Sequence, residues 1–131
     1  MDGLTINVTS VTITTPDPRA LAAFYSRLLD VPITTEEGPG PGEPATAGWA
    51  QIRVADGPSL NFEYERHWAP PIWPSEPGAQ HATQHLDIQV TDLAAATDHA
   101  VKSGAALAAF QPQEHVRVLF DPHNHPFCLF T

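Results

Sequence analysis

The sequence predicts an α+β fold made of two tandem βαβββ modules, and three observations carry that prediction. SVTITTPDPRALAAFYSRLL from Ser10 aligns with HLDIQVTDLAAATDHAVKSG from His85, at an offset of 75, each an alternating strand, an Asp and an amphipathic helix. ADGPSLNFEYE (Ala55 to Glu65) aligns with FDPHNHPFCLF (Phe120 to Phe130), pairing Glu63 with Cys128 at an offset of 65, each a strand, a turn and a strand. The shorter second offset places extra residues in the first half, and the Gly/Pro-rich EEGPGPGEPATAG, Glu36 to Gly48, reads as that insertion and as a mobile loop. The modules span residues 4–66 and 83–131 of one domain, joined by the Pro/Trp-rich linker 67–82.

Each element has a local cause. Val11 and Ile13 alternate with Thr12 and Thr14, whereas Leu4, Ile6 and Val8 lie in the opposite phase, which predicts a bulge or strand break near Thr9. Asp17 caps a helix whose first position is Pro18, and Leu21, Phe24, Tyr25 and Leu28 fall on one helical face. After Pro58, Leu60, Phe62 and Tyr64 alternate with Asn61, Glu63 and Glu65.

In the second half, Leu86, Ile88 and Val90 alternate with His85, Asp87 and Gln89. Asp92 caps the second helix, Leu93, Ala96, Thr97 and Ala100 form its narrow apolar stripe, and Gly104 ends it. Asp121-Pro122-His123-Asn124 has turn chemistry, so His123 and His125 are expected as exposed residues at a hairpin turn, with Cys128 in the strand that follows.

Composition bounds the function. The chain has 131 residues and a net charge of −9, which argues against nucleic acid and anionic membranes as partners and suits a cationic ligand. One cysteine, Cys128, excludes an internal disulfide, no stretch at the N-terminus reads as a signal peptide, and no apolar run approaches the roughly 18 residues of a membrane span. These features predict a cytoplasmic protein. GxSxG, a Gly-rich phosphate loop and CxxC are all absent.

A βαβββ repeat with these strand–Asp–helix segments, running to FYSRLLDVPI in the first half and from HLDIQVTDL to DPHNHPFCLF in the second, resembles the vicinal oxygen chelate superfamily over residues 4 to 131. That superfamily includes glyoxalase I, extradiol dioxygenases and the bleomycin- and fosfomycin-resistance proteins, and the resemblance is nearest to its glyoxalase-like branch. It implies a mixed sheet curled into a cup with the helices outside, a ligand inside, and a homodimer. The cup would then be lined by Ser10, Thr12, Thr14, Asn61, Glu63, Glu65, His85, Asp87 and Gln89, with Gln51, Arg53, Arg117, Leu119, Cys128 and Phe130 placed there by the same alternation. The family's four metal-ligand positions correspond to Ser10, Glu63, His85 and Cys128. A neutral hydroxyl is a poor ligand and Cys128 replaces the usual Glu, so no cofactor is implied. A divalent metal on Glu63, His85 and Cys128 is the alternative.

The catalytic candidates are His85, histidine being the side-chain type suited to proton transfer at neutral pH, and Glu63. Ser10, Thr12, Arg53, Asn61, Asp87, Arg117 and Cys128 are the candidate substrate contacts. Trp68 and Trp73, on the stiff linker, would offer a flat wall to a planar ligand. Structural readings stand beside these: His85 bonded to Asp87, the arginines ion-paired with acids, the tryptophans covering core. The function expected is binding of a small organic molecule, with metal-independent isomerase or lyase chemistry through His85 or Glu63. The alternatives are a bleomycin-resistance-like protein that sequesters a cationic drug, and a metal-dependent glyoxalase or dioxygenase.

Overall fold

The structure, a computed structural model, describes residues 2–131 and divides into two compact units, one ending at Arg66 and one running from His67 to Thr131. Each has the predicted βαβββ order.

The first unit contains β1 (Ser10–Thr15), α1 (Pro18–Leu29), β2 (Ile33–Glu37), β3 (Trp49–Ile52) and β4 (Ser59–Tyr64). Its sheet runs β1-β4-β3-β2, with β1 parallel to β4 and the other neighbours antiparallel. Pro18 opens the helix, and the Asp17 carboxylate accepts the Ala20 N–H at 3.1 Å. Both features meet the N-terminal donors that a helix leaves unpaired. Leu21, Phe24 and Tyr25 on the predicted face are fully or almost fully buried. Tyr25 stacks on Phe62 of β4 with ring centroids 5.5 Å apart, so the Phe62 side of the sheet is the core side. Pairing fixes the rest: Val11 lies opposite Leu60, Ile13 opposite Phe62, and Ala50 and Ile52 opposite Phe62 and Leu60. The break expected near Thr9 is where β1 begins, at Ser10.

The segment from Glu36 to Gly48 differs from the mobile loop expected of it. Glu36 and Glu37 belong to β2, and Arg19 of α1 reaches over to donate to the Ala45 carbonyl at 2.6 Å and the Ala47 carbonyl at 3.4 Å. Ala47 is fully buried. Gly48 has φ +126°, and a Cβ there would collide with the Glu37 carbonyl oxygen, so this tight return requires glycine.

The second unit contains β5 (Leu86–Gln89), α2 (Leu93–Ser103), β6 (Ala106–Leu107), β7 (Val116–Phe120) and β8 (Pro126–Phe130), in the order β5-β8-β7-β6 with β5 parallel to β8. Asp92 accepts the Ala95 N–H at 3.0 Å, and Gly104 ends the helix at φ +126°. Phe127, Leu129 and Leu119 are buried on the helix side. The Pro/Trp-rich segment is part of this unit: Asn124 donates to the Pro71 carbonyl at 2.8 Å, and Trp73 stacks on Phe110 at 5.8 Å and meets Phe120 edgewise at 6.3 Å. Among the described residues no helix is long and apolar enough to cross a membrane.

Phe62 joins sheet to helix in the first unit, so Phe62→Ala should lower unfolding free energy by about 3–5 kcal/mol. Asp17→Ala, which removes only a cap, should cost about 1 kcal/mol. Urea denaturation followed by far-UV circular dichroism reads both.

Candidate functional site

Strand register sorts the polar candidates. In the first unit Thr12 lies opposite Asn61, Thr14 opposite Glu63, Gln51 opposite Asn61 and Trp49 opposite Glu63, all on the side away from Phe62. Residues directly across a ladder share a face, so this side is a polar surface. Gln51 donates to the Asn61 side-chain oxygen at 2.8 Å, and Glu63 is exposed. Ser10 pairs with Ser59 at the start of the same face, and Arg53 lies exposed, one residue past β3.

In the second unit, Asp87 on β5 lies opposite Cys128 on β8. His85 precedes β5 by one residue and bends back to Asp87, Nε2 to Oδ1 at 3.1 Å, with side chains 48% and 61% exposed. An ionised carboxylate only accepts, so Nε2 carries the proton in this pair. In the neutral ring, Nδ1 is then the nitrogen with the lone pair. Burial pushes the Cys128 thiol pKa up; the Asp87 charge and a hydrogen bond to its carboxylate push it further the same way. The thiol is therefore held protonated, the reverse of an activated nucleophile.

One ligand atom from each of His85, Asp87 and Cys128 lies within 4.8 Å of the others. Imidazole nitrogen, carboxylate oxygen and thiolate sulfur together fit a borderline-soft divalent cation such as zinc, and three protein ligands suffice for an open site. Asp87 lies outside the four positions that the resemblance singles out, and Glu63 is not in this group. Binding would first have to displace the proton on sulfur.

Two expectations are corrected. Arg117 and Leu119 pair with Leu129 and Phe127 and so lie on the helix side, not with Cys128. The Arg117 guanidinium donates to the carbonyls of Gln113, Glu114 and Val116 and borders a recess with Leu93, Ala94, Thr97 and Asp98 of α2. It braces the entry to β7. VRVLF is apolar on both faces, so alternation could not orient it.

The turn histidines are also not merely exposed. Asp121, with a fully buried side chain, accepts the backbone N–H of His123 at 2.9 Å and of His125 at 3.1 Å, and His125 Nδ1 at 2.8 Å. Trp68 lies 6.1 Å, centroid to centroid, from both His123 and His125. Asn124 takes the left-handed turn position at φ 71°. The Asp-Pro turn was legible in the sequence. That Asp121 is the hub of the turn was not, because the only signal was a His four residues downstream. Trp68 and Trp73 thus pack on rings of their own unit.

A model of the glyoxalase-like domain matches residues 10–130. The fold is similar to that of the fosfomycin resistance protein FosX from Listeria monocytogenes, in a form complexed with Mn(II) and 1S,2S-dihydroxypropylphosphonic acid (TM-score 0.70, 13% identity, covering 97% of this chain and 93% of that one). It is also similar to a glyoxalase/bleomycin resistance protein/dioxygenase family enzyme from Burkholderia phytofirmans PsJN (TM-score 0.64, 16% identity, 95% and 97% covered). A third similar structure is a domain of the same description from Frankia sp. EAN1pec (TM-score 0.63, 19% identity, 97% and 98% covered). No curated protein matches the chain.

The raised thiol pKa gives a signed prediction. Iodoacetamide should alkylate Cys128 more slowly than a free thiol at mildly alkaline pH, and Asp87→Asn, which removes the charge, should speed the reaction. Because the folded value lies above the unfolded one, the associated stabilisation is present below the ordinary cysteine range and is lost as pH rises through the folded value. At the turn, Asp121→Ala strands part-buried donors and should cost about 1–3 kcal/mol in urea unfolding.

Proposed function

Because this chain belongs to the glyoxalase-like domain family of the vicinal oxygen chelate superfamily, we propose that it binds a small organic molecule on the Asp87–Cys128 face of its second unit and moves a proton on that ligand with His85. The observation that carries this reading is the 3.1 Å bond from His85 Nε2 to Asp87, in a pair that is about half exposed. Asp87 fixes the tautomer and orientation of the ring and offsets the charge the ring acquires. Nδ1 then takes a proton from the ligand and returns it elsewhere, which is the requirement of an isomerisation or an elimination next to a carbonyl. The protonated Cys128 thiol contributes a neutral, weakly polar neighbour.

A second reading is supported by the convergence of three donors within 4.8 Å and by the Mn(II) in the FosX complex of the same fold. Here His85, Asp87 and Cys128 hold a divalent cation, which would supply Lewis-acid polarisation of a ligand oxygen. Drug sequestration by stacking on Trp73 has less support, since that ring already stacks on Phe110.

The test is a turnover and binding screen of small carbonyl and hydroxy compounds, run beside metal analysis of untagged protein. On the proton-transfer reading, His85→Ala lowers turnover by roughly 10²–10⁴-fold while ligand binding survives, and metal content stays far below one per chain. On the metal reading, about one equivalent is bound and is lost in His85→Ala and in Cys128→Ser. Full turnover and full affinity in His85→Ala would rule out both.

A further inference from the structure

We propose that the recess between α2 and the start of β7 is a second binding site, separate from the Asp87–Cys128 face, whose ligand is a free α-amino acid with an apolar side chain. This inference is independent of the function proposed above.

The recess has a volume of about 400 Å³ and is lined by Leu93, Ala94, Thr97 and Asp98 of α2 and by Arg117 of β7. That volume lies within the range of small-molecule sites. The four helix residues recur at i, i+1, i+4 and i+5, so they form one side of the helix. Register separates this recess from the face used above: Cys128 pairs with Val118, whereas Arg117 pairs with Leu129, the next residue along β8. Neighbouring strand residues point to opposite sides, so the two sites lie on opposite sides of one sheet. Arg117 is fixed with part of its donor set unused. Its Nη1 alone is bonded, to the Val116, Glu114 and Gln113 carbonyls at 2.8, 3.0 and 3.3 Å. Among the described residues Nε and Nη2 donate to nothing. That edge of a guanidinium is a fork that takes a carboxylate through two parallel bonds.

Charge and wall chemistry select the ligand. Asp98 shares the recess and is exposed, and among the described residues its carboxylate is paired with neither Arg117 nor any other group. Anchored at Nη1, the guanidinium does not close on it. A simple anion such as phosphate would meet Asp98 as well as the chain's net charge of −9, and a simple amine would meet Arg117. A molecule carrying both an ammonium and a carboxylate satisfies both side chains at once. Thr97 gives its hydroxyl proton to the Leu93 carbonyl at 2.7 Å, so with Leu93 and Ala94 it offers the ligand carbon rather than donors. A free amino acid with an apolar side chain matches this combination of cation, anion and apolar wall.

The test is titration of the ¹⁵N-labelled full chain with L-leucine, L-valine and L-phenylalanine, followed by ¹⁵N–¹H correlation NMR. At least one should give saturable shifts at the backbone amides of residues 93–98 and at the Arg117 Nε–H. The N-acetyl and carboxamide derivatives of that amino acid lack the ammonium and the carboxylate respectively. Each should bind about tenfold or more weakly, the loss expected when a charge-assisted hydrogen bond is removed. Asp98→Asn should weaken the amino acid by a similar factor and end the discrimination against its N-acetyl derivative. Ala94→Phe fills the recess from an exposed helix position and leaves the Arg117 anchor in place. It should abolish the shifts with an unchanged circular dichroism spectrum. No saturable shift with any of the three, shifts confined to the Asp87–Cys128 face, equal affinity for the N-acetyl derivative, or undiminished binding to Ala94→Phe would each overturn the inference.

Discussion

In each unit the first strand runs parallel to the last, β1 beside β4 and β5 beside β8. The pairing joins the two ends of a βαβββ module, and the helix between them must cross to one side. With the helix there, the period-two alternation of each strand becomes a division between a side that packs on the helix and a side that does not, and in β4 the second is polar. A one-residue slip of β5 against β8 would carry Asp87 to the side of Phe127 and Leu129, bury its charge, and separate it from Cys128. Exclusion of a carboxylate from the apolar side is thus what holds the site's register. The second unit states this in its simplest form, because Asp87 and Cys128 are direct ladder partners and His85 is tethered to the same carboxylate.

Much of this organisation was legible in the chain. Asp17 with Pro18, and Asp92 with Gly104, announce their helices through capping chemistry that depends on nearby residues alone. Phe62 and Leu60, alternating with Asn61 and Glu63, show their faces because apolar and polar side chains are cleanly separated in that strand. The site was legible in part. His85, Asp87 and Cys128 each stood on the expected face, but their convergence depends on a pairing between distant strands. Arg117 was misassigned because Val116, Val118 and Leu119 give β7 no polar side. Only the hairpin register, Leu119 opposite Phe127, decides its orientation.

Loops were hardest to read. The Gly/Pro-rich stretch before β3 looked free, yet Arg19, in the first turn of α1, fastens it through two carbonyls. The turn histidines looked like exposed turn residues, and at least one is bonded to the buried carboxylate of Asp121. In both cases a charged side chain satisfies backbone groups far from any periodic pattern, a kind of order that alternation does not reveal. The linker tryptophans follow the same logic, since their aromatic partners lie at positions 110, 120, 123 and 125.

The most direct measurement of the central claim, that Asp87 governs both His85 and Cys128, is the tautomer of His85 read by long-range ¹⁵N–¹H NMR. It should be recorded on metal-stripped protein at a pH where the ring is neutral, and repeated in Asp87→Asn. The account predicts a proton fixed on Nε2, an unprotonated Nδ1, and loss of that preference in the variant. A proton on Nδ1, or a spectrum that Asp87→Asn leaves unchanged, would contradict it and separate His85 from the carboxylate on which the site rests.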